Sequence, residues 1–180
     1  RPAIAIPMPS YHGWAILIDS GANTDCKASH LAQFAVMGET YARHILGIPK
    51  PRVGLLSNGE EEGKGTAVVA EAHELIKGLN MHFVGNVEGR DLFNGRADVV
   101  VCDGFAGNVL LKGAEGVAEM IFTLLKEELN KTLRSRIGGL LSKPAFRNFY
   151  KRLDYAEQGS APLLGVKGVF MIGHGKSPGR

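Results

Sequence analysis

Apolar residues along this chain fall into two patterns. Short, mostly apolar runs, Trp14–Ile18, Val53–Leu56, Met81–Val84 and Ala97–Cys102, have the length and turn-bounded ends of strands, and Trp14–Ile18, apolar throughout, reads as buried on both faces. Between them lie stretches with three- and four-residue spacing. One carries Leu31, Phe34, Ala35, Met37, Tyr41 and Ile45; Asp25 or Ser29 is placed to cap it, and Gly47 and Pro49 stop it. Another runs from about Ala67 to Lys77 and ends at Gly78. Strands alternating with helices predict an α/β fold, a Rossmann-like, mostly parallel sheet with flanking helices. Ala3–Ile6, closed by Pro7, Pro9 and Gly13, reads as a loop-rich opening. Val169–Ile172 reads as a final strand after Gly165–Gly168 and before Gly173-His174-Gly175.

The longest periodic stretch starts at Gly107 and runs to about Arg134, with Val117, Met120, Ile121, Leu124, Leu125, Leu129 and Leu133 on one face. Core packing accounts for such a face. A tip, Ile137-Gly-Gly-Leu-Leu141, then leads to a second helical stretch with Phe149 and Tyr150, which predicts a protruding hairpin over about 117–153 on a single domain, 1–180.

Composition sharpens this in one place. The 180 residues carry a formal charge of +3, but seven cations and no acid lie between Asn130 and Leu153: Lys131, Arg134, Arg136, Lys143, Arg147, Lys151 and Arg152. The remaining 14 basic and 18 acidic residues leave −4 elsewhere. Such a block is a solvated face, or a dock for an acidic partner or an anionic membrane. The apolar tip with Leu140-Leu141 between the cations fits shallow interfacial attachment, and a dimer contact fits it equally. There is no apolar run of 18 residues and no CxxC; Cys26 and Cys102 read as reduced thiols, so a cytoplasmic chain is expected. The six histidines form no ligand cluster, so no metal is expected. Beginning Arg1-Pro2, the chain reads as part of something longer.

Ligands of parallel α/β sheets gather beyond the carboxyl ends of the strands. Four such ends lead into small polar loops, Asp19–Asn23, Ser57–Gly65, Gly85–Asp91 and Asp103–Asn108, and each contains glycine and an asparagine: Asn23, Asn58, Asn86, Asn108. The asparagines serve as turn residues or as a converging polar site. Ser57–Thr66 holds one cation, Lys64, between Gly63 and Gly65. It is not a nucleotide P-loop, because three residues rather than four separate Gly59 from Gly63 and because Glu60, Glu61 and Glu62 would repel a triphosphate. No GxGxxG follows a strand, which speaks against a nucleotide-dependent dehydrogenase.

The stretches DSGANTDCKASHL, PRVGLLSNGEEEGKG, FVGNVEGRDLFNGRADVVVCDGFAGNVLLK and GSAPLLGVKGVFMIGHGKS resemble the acyl-carrier-protein:phosphate acyltransferase family of bacterial phospholipid synthesis. The similarity covers essentially the whole chain, and GNVEGRD together with VCDGFAGNV is its most specific part. Members are nearly twice as long, so the resemblance implies a central and C-terminal portion. It implies a reaction in which inorganic phosphate attacks the thioester of a long-chain acyl carrier protein, giving acyl phosphate and the free carrier thiol, with no cofactor. Phosphate is a dianion near neutral pH and needs positioning more than deprotonation, while the thioester carbonyl needs donors as it becomes an oxyanion. Lys64 is expected at that centre, donating to the oxyanion or orienting phosphate, with Asn108 and His174 as further catalytic candidates. Asn23, Gly63, Gly65, Asn86, Arg90, Asp103 and Gly104 are expected to bind substrate. Arg90 alternatively pairs with Glu88 or Asp91, Asp103 alternatively caps the long helix or orients a lysine, and His174 alternatively is a hydrogen-bonded strand-end histidine. Arg134, Arg136, Leu140, Leu141, Lys143 and Arg147 are expected to meet the acidic carrier or an anionic membrane. A homodimer is expected, and no nucleic acid. Two other readings are an enzyme of the phosphotransacetylase kind acting on acyl-coenzyme A, and a non-catalytic membrane- or carrier-binding fragment.

Overall fold

The computed structural model describes residues 1–153 and 161–173. In chain order the elements are β1 (Ala3–Ser10), β2 (Gly13–Ile18), α1 (Ala28–His44), β3 (Arg52–Leu56), α2 (Ala67–Lys77), β4 (His82–Val87), α3 (Asp91–Asn94), β5 (Val99–Val101), α4 (Gly104–Asn130), α5 (Leu133–Leu141), α6 (Lys143–Leu153), β6 (Ala161–Leu164) and β7 (Met171–Ile172). The strands form one sheet in the order β4-β3-β5-β2-β1-β6-β7. Its first four strands are parallel, and β2-β1, β1-β6 and β6-β7 are antiparallel. The fold is α/β, with both sheet faces covered.

One face carries Ile16, Ile18, Val53, Leu55, Val99 and Val101 against Leu31, Phe34 and Ala35 of α1 and Ala72 and Ile76 of α2. The other carries Leu17, Val87 and Val100 against Leu92 of α3 and Leu111 of α4. The apolar runs are thus shared between two layers, as two-sided burial requires.

Several expectations need correction. The opening is a β-hairpin rather than a loop. Ile16 donates to Asp98 on the β5 side, so its partner on β1, Pro7, needs no N–H there, and on its other side β1 meets β6 through Ala3 and Ile4. Both prolines therefore sit where the ladder asks for no donor. Neither Asp25 nor Ser29 caps α1; Lys27 occupies that position, and its backbone N–H donates to His30 Nδ1 at 3.1 Å. The third parallel run continues through Gly85, Asn86 and Val87. Gly85, at φ +83°, inserts a bulge, and the register slips from Val53↔Phe83 to Leu55↔Asn86. Strand β6 went unread because Pro162 interrupts a four-residue run.

The long helix begins at Gly104 and ends at Asn130. Thr132 starts a new helix through a capping box, with Oγ1 accepting from Ser135 N–H and Ser135 Oγ accepting from Thr132 N–H, both at 3.1 Å. Ile137–Leu141 is therefore part of α5, not an irregular tip. Beyond Ala114 no residue of α4 belongs to either core layer. Val117, Met120, Ile121 and Leu124 are each about half exposed, so this stripe is not core as the periodicity suggested. The hairpin holds itself through Phe122, whose ring lies 6.2 Å from Phe149 and 5.5 Å from Tyr150 on α6.

Candidate active site

The strand order fixes how the four carboxyl-end loops lie along one edge: 88–91, then 57–65, then 103–108, then 19–23. Hydrogen bonds join them in two pairs. In the first pair, Gly104 N–H donates to Asn23 C=O at 2.6 Å, while Asp103 caps α4 by accepting from Ala106 N–H at 2.7 Å. Helix α4 approaches the first loop too closely for any side chain. A Cβ at Gly107 would stand 1.9 Å from Asp19 C=O, and one at Gly104 would stand 2.8 Å from Asn23 main-chain atoms. Asp19, fully buried, anchors the loop: its carboxylate accepts from Ile4, Gly21, Ala22 and Asn23 N–H and from Asn23 Nδ2. Asn23 also donates from Nδ2 to Pro2 C=O at 2.7 Å and accepts from Arg1 Nε at 2.5 Å. Its amide is committed to holding the turn.

The second pair explains the three glutamates. Glu60 and Glu62 engage cations other than Lys64 through their carboxylates, and Glu61 is held through its main chain. Arg96 and Arg90 both pair with Glu60, and Arg90 also pairs with Glu88 at 3.0 Å. Glu62 pairs with Lys77 at 3.0 Å and lies 3.7 Å from His73 Nε2. Glu61 accepts through its main-chain carbonyl from Asn86 Nδ2 at 2.8 Å and from Lys64 N–H at 3.0 Å. The Arg96 hydrogen bond holds Glu60 below the usual carboxylate range, and Lys77 does the same for Glu62. Glu60 and Glu62 are struts that tie the loop to α2 and to the β4–β5 connection. Among the described residues the Lys64 side chain makes no hydrogen bond or ion pair, and it is exposed.

The expected residues thus separate. Asn23 and Asn86 are buried with both ends of their amides used; Asp103 is the helix cap; Arg90 has Glu60 and Glu88 as partners. Gly63 and Gly65 flank Lys64 on the exposed loop, Gly104 is buried under Asn23, and Asn108 is exposed on the second turn of α4. His174 lies outside the described residues. Arg134, Arg136, Leu140, Leu141, Lys143 and Arg147 are all exposed on the α5–α6 arm, far along the chain from this edge. Two residues went unread, Asp19 and His73. The signals were an acid before Ser-Gly at a strand end and a polar side chain on the apolar face of α2.

Cys26 and Cys102 are free and buried, and burial raises both thiols, Cys102 well above its ordinary value, so neither is poised as a nucleophile. Two clefts, of about 340 and 300 Å³, lie at the amino ends of the parallel strands, one beside His82 and Pro51, the other beside Trp14, Arg52 and Asp98. They are away from the glycine loops, and Arg52 is already taken bidentately by Asp98. Among the described residues no helix is long and apolar enough to cross a membrane, and no group of three acidic, histidine or cysteine side chains is gathered as a metal would require.

The family model described as fatty acid synthesis protein matches residues 1–180. The chain belongs to the fatty acid synthesis protein family. Curated relatives in this family agree closely. It is 56% identical over 180 residues to the phosphate acyltransferase of Acidobacterium capsulatum, covering all of this chain and 53% of that one. It is 58% identical over 177 residues to the phosphate acyltransferase of Campylobacter lari, covering 98% of this chain and 54% of that one. The chain spans about half the length of the curated relatives it matches. Among solved structures, it resembles a phosphotransacetylase from Streptococcus pyogenes, with TM-score 0.54 and 24% identity over 66% of this chain and 42% of that one. The EutD phosphotransacetylase from Staphylococcus aureus is similar at TM-score 0.53 and 20% identity, over 66% and 43%. At such identities the likeness is one of fold.

Proposed function

We propose that this chain supplies the carboxyl-edge loops of a phosphate acyltransferase, in which inorganic phosphate attacks an acyl thioester carried by acyl carrier protein. A phosphate oxygen forms a bond to the acyl carbon, the C–S bond breaks, and the carrier leaves as thiolate. The observation that carries the reading is the contrast within one loop. The carboxylates of Glu60 and Glu62 are tied down by Arg96, Arg90 and Lys77, while Lys64, between two glycines, keeps an ammonium with no partner among the described residues. A loop with two of its acids paired elsewhere and its cation kept free suits a small dianion or a developing oxyanion. The identity to proteins named phosphate acyltransferase supports the same chemistry. Lys64 is the catalytic cation, Gly63, Gly65 and Asn108 line the substrate beside it, and Asn23, Asn86, Asp103 and Gly104 hold the loops in place. His174 remains a donor candidate. Arg90 is a strut that can release Glu88 or Glu60 to meet an anion.

The cations at Arg134, Arg136, Lys143 and Arg147, with Leu140 and Leu141 beside them, are the dock for the acidic carrier or an anionic membrane, with peripheral attachment from the cytoplasmic side. The half-exposed stripe Val117, Met120, Ile121 and Leu124 fits a second copy in a homodimer. The test uses the full-length enzyme containing this chain. Trapping acyl phosphate with hydroxylamine should give product from carrier-linked acyl groups and far less from acyl-coenzyme A. Equal or better use of the coenzyme A thioester would assign the chemistry of phosphotransacetylases instead. Vesicle binding without any acyl transfer would leave a binding module.

A further inference from the structure

One buried polar group has no part in the reaction as described above. His73, 3% exposed, sits on α2 with its ring edge-on to Phe83 at 5.0 Å. Its Nδ1 lies 3.1 Å from Asn86 Oδ1, and Asn86 Nδ2 donates to Glu61 C=O at 2.8 Å. A carbonyl can only accept, so the nitrogen of the Asn86 amide faces Glu61 and its oxygen faces His73; His73 Nδ1 must then carry the proton. Glu61 C=O accepts a second bond, from Lys64 N–H. A single carbonyl therefore joins the turn that presents Lys64 to a side chain rooted in the sheet.

The chain reaches this arrangement by an unusual route. Val84 and Val87, three residues apart, both pack in the layer under α3 and α4, so strand alternation has slipped by one between them. The residue that absorbs the slip is Gly85 at φ +83°, and a Cβ there would meet only His73 Cε1 at an ordinary 3.8 Å. Glycine is needed for its backbone angle, not for room. The bulge's consequence is that Asn86 faces α2 instead of the opposite layer, and only there can it reach both His73 and Glu61.

We infer that His73, acting through Asn86 and the Glu61 carbonyl, is a positioning residue that sets where Lys64 is held. This rests on the assignment of Lys64 as the catalytic cation. His73 touches no substrate; it orients the Asn86 amide, which fixes the Glu61–Lys64 turn. The same turn is tied from outside by Glu62 to Lys77 and by Glu60 to Arg96, so losing the inner tie leaves the loop attached but loosely placed.

The full-length enzyme tests this with His73→Phe, His73→Gln and Asn86→Ala. Asn86→Ala should lower kcat at least about 30-fold and leave KM for the acyl donor within about twofold, because a misplaced group costs rate rather than donor binding. His73→Phe should lose about tenfold, and His73→Gln, which restores an N–H toward Asn86 Oδ1, should recover to within about threefold of the parent. Hydrogen exchange gives a readout independent of turnover: the Lys64 amide should exchange faster in Asn86→Ala while the β5 amides keep their protection. Should His73→Phe fail to fold, Asn86→Ala and the exchange pattern decide alone. An active parent whose Asn86→Ala form keeps full kcat, or whose Gln and Phe forms at residue 73 lose activity equally, overturns the relay. A parent that makes no acyl phosphate overturns both the relay and the reaction it serves.

Discussion

The two ends of α4 behave as different materials. Its first turns are wedged against the β2 loop, with Gly104 and Gly107 in contact with main chain and Leu111 in the core. Its outer part carries an apolar stripe that nothing among the described residues covers, and leads into an arm whose side chains are nearly all exposed. Sequence periodicity is the same along both. What differs is the surroundings: near the sheet, small residues let backbones meet and side chains close two layers, whereas farther out the helix has only α5 and α6 for company. A region of the first kind fixes geometry; a region of the second kind offers surface.

Substitutions can break this contrast, and the largest effect belongs to the wedge. Gly107→Ala should destabilise the protein by at least about 3 kcal/mol, since its methyl would collide with backbone that cannot turn aside; a thermal melt of the intact protein reads it. An unchanged melt would mean that α4 is not seated on the β2 loop.

A middle-sized effect should come from the ion pair that ties β3 to the start of β5. Burial pushes the Asp98 carboxyl up, but the hydrogen bonds and charge of Arg52 outweigh it and hold Asp98 below its ordinary range. The native state then binds fewer protons than the unfolded chain. The contribution is therefore full above the unfolded carboxylate value of about 4 and is lost as pH falls through the lower native value. Asp98→Asn should cost about 1–3 kcal/mol at neutral pH and flatten that part of the acid limb of the stability curve. A variant with an acid limb identical to the parent's would show that the pair does not control it.

The smallest effect lies on the outer helix and has the opposite sign. A Cβ at Gly113 or Gly116 meets nothing within 4 Å. Either residue replaced by Ala should raise stability by about 0.5–1 kcal/mol through helix propensity alone. A loss at Gly116 would show that a partner chain approaches the helix there, which would sharpen the case for a dimer.

Much of the parallel sheet was legible because its runs are apolar on both faces, and α2 was legible because its three- and four-residue spacing stops at Gly78. The β1 hairpin was not, because Pro7 and Pro9 argue against a strand until one knows that their N–H positions face away from β2. Nor was the extension of β4, because a bulge at Gly85 breaks the alternation by which strands are recognised. In the candidate site, the loops and Lys64 could be picked out as candidates from glycine spacing and charge. The destinations of Glu60, Glu61 and Glu62 could not, since Arg96, Lys77 and Asn86 reach them only through tertiary pairing of α2, β4 and the loop before β5. The same applies to Asn23 and Asn86, whose residue type suggested ligand contact and whose amides are spent on the fold.

The central claim, that one unpaired ammonium at the carboxyl edge serves the acyl transfer, is reached most directly by Lys64→Ala in the full-length enzyme. Among the described residues its side chain has no partner to lose, so the melting temperature should stay within a few degrees of the parent while acyl phosphate formation falls by at least about 100-fold. Turnover retained in a folded Lys64→Ala protein would contradict the account.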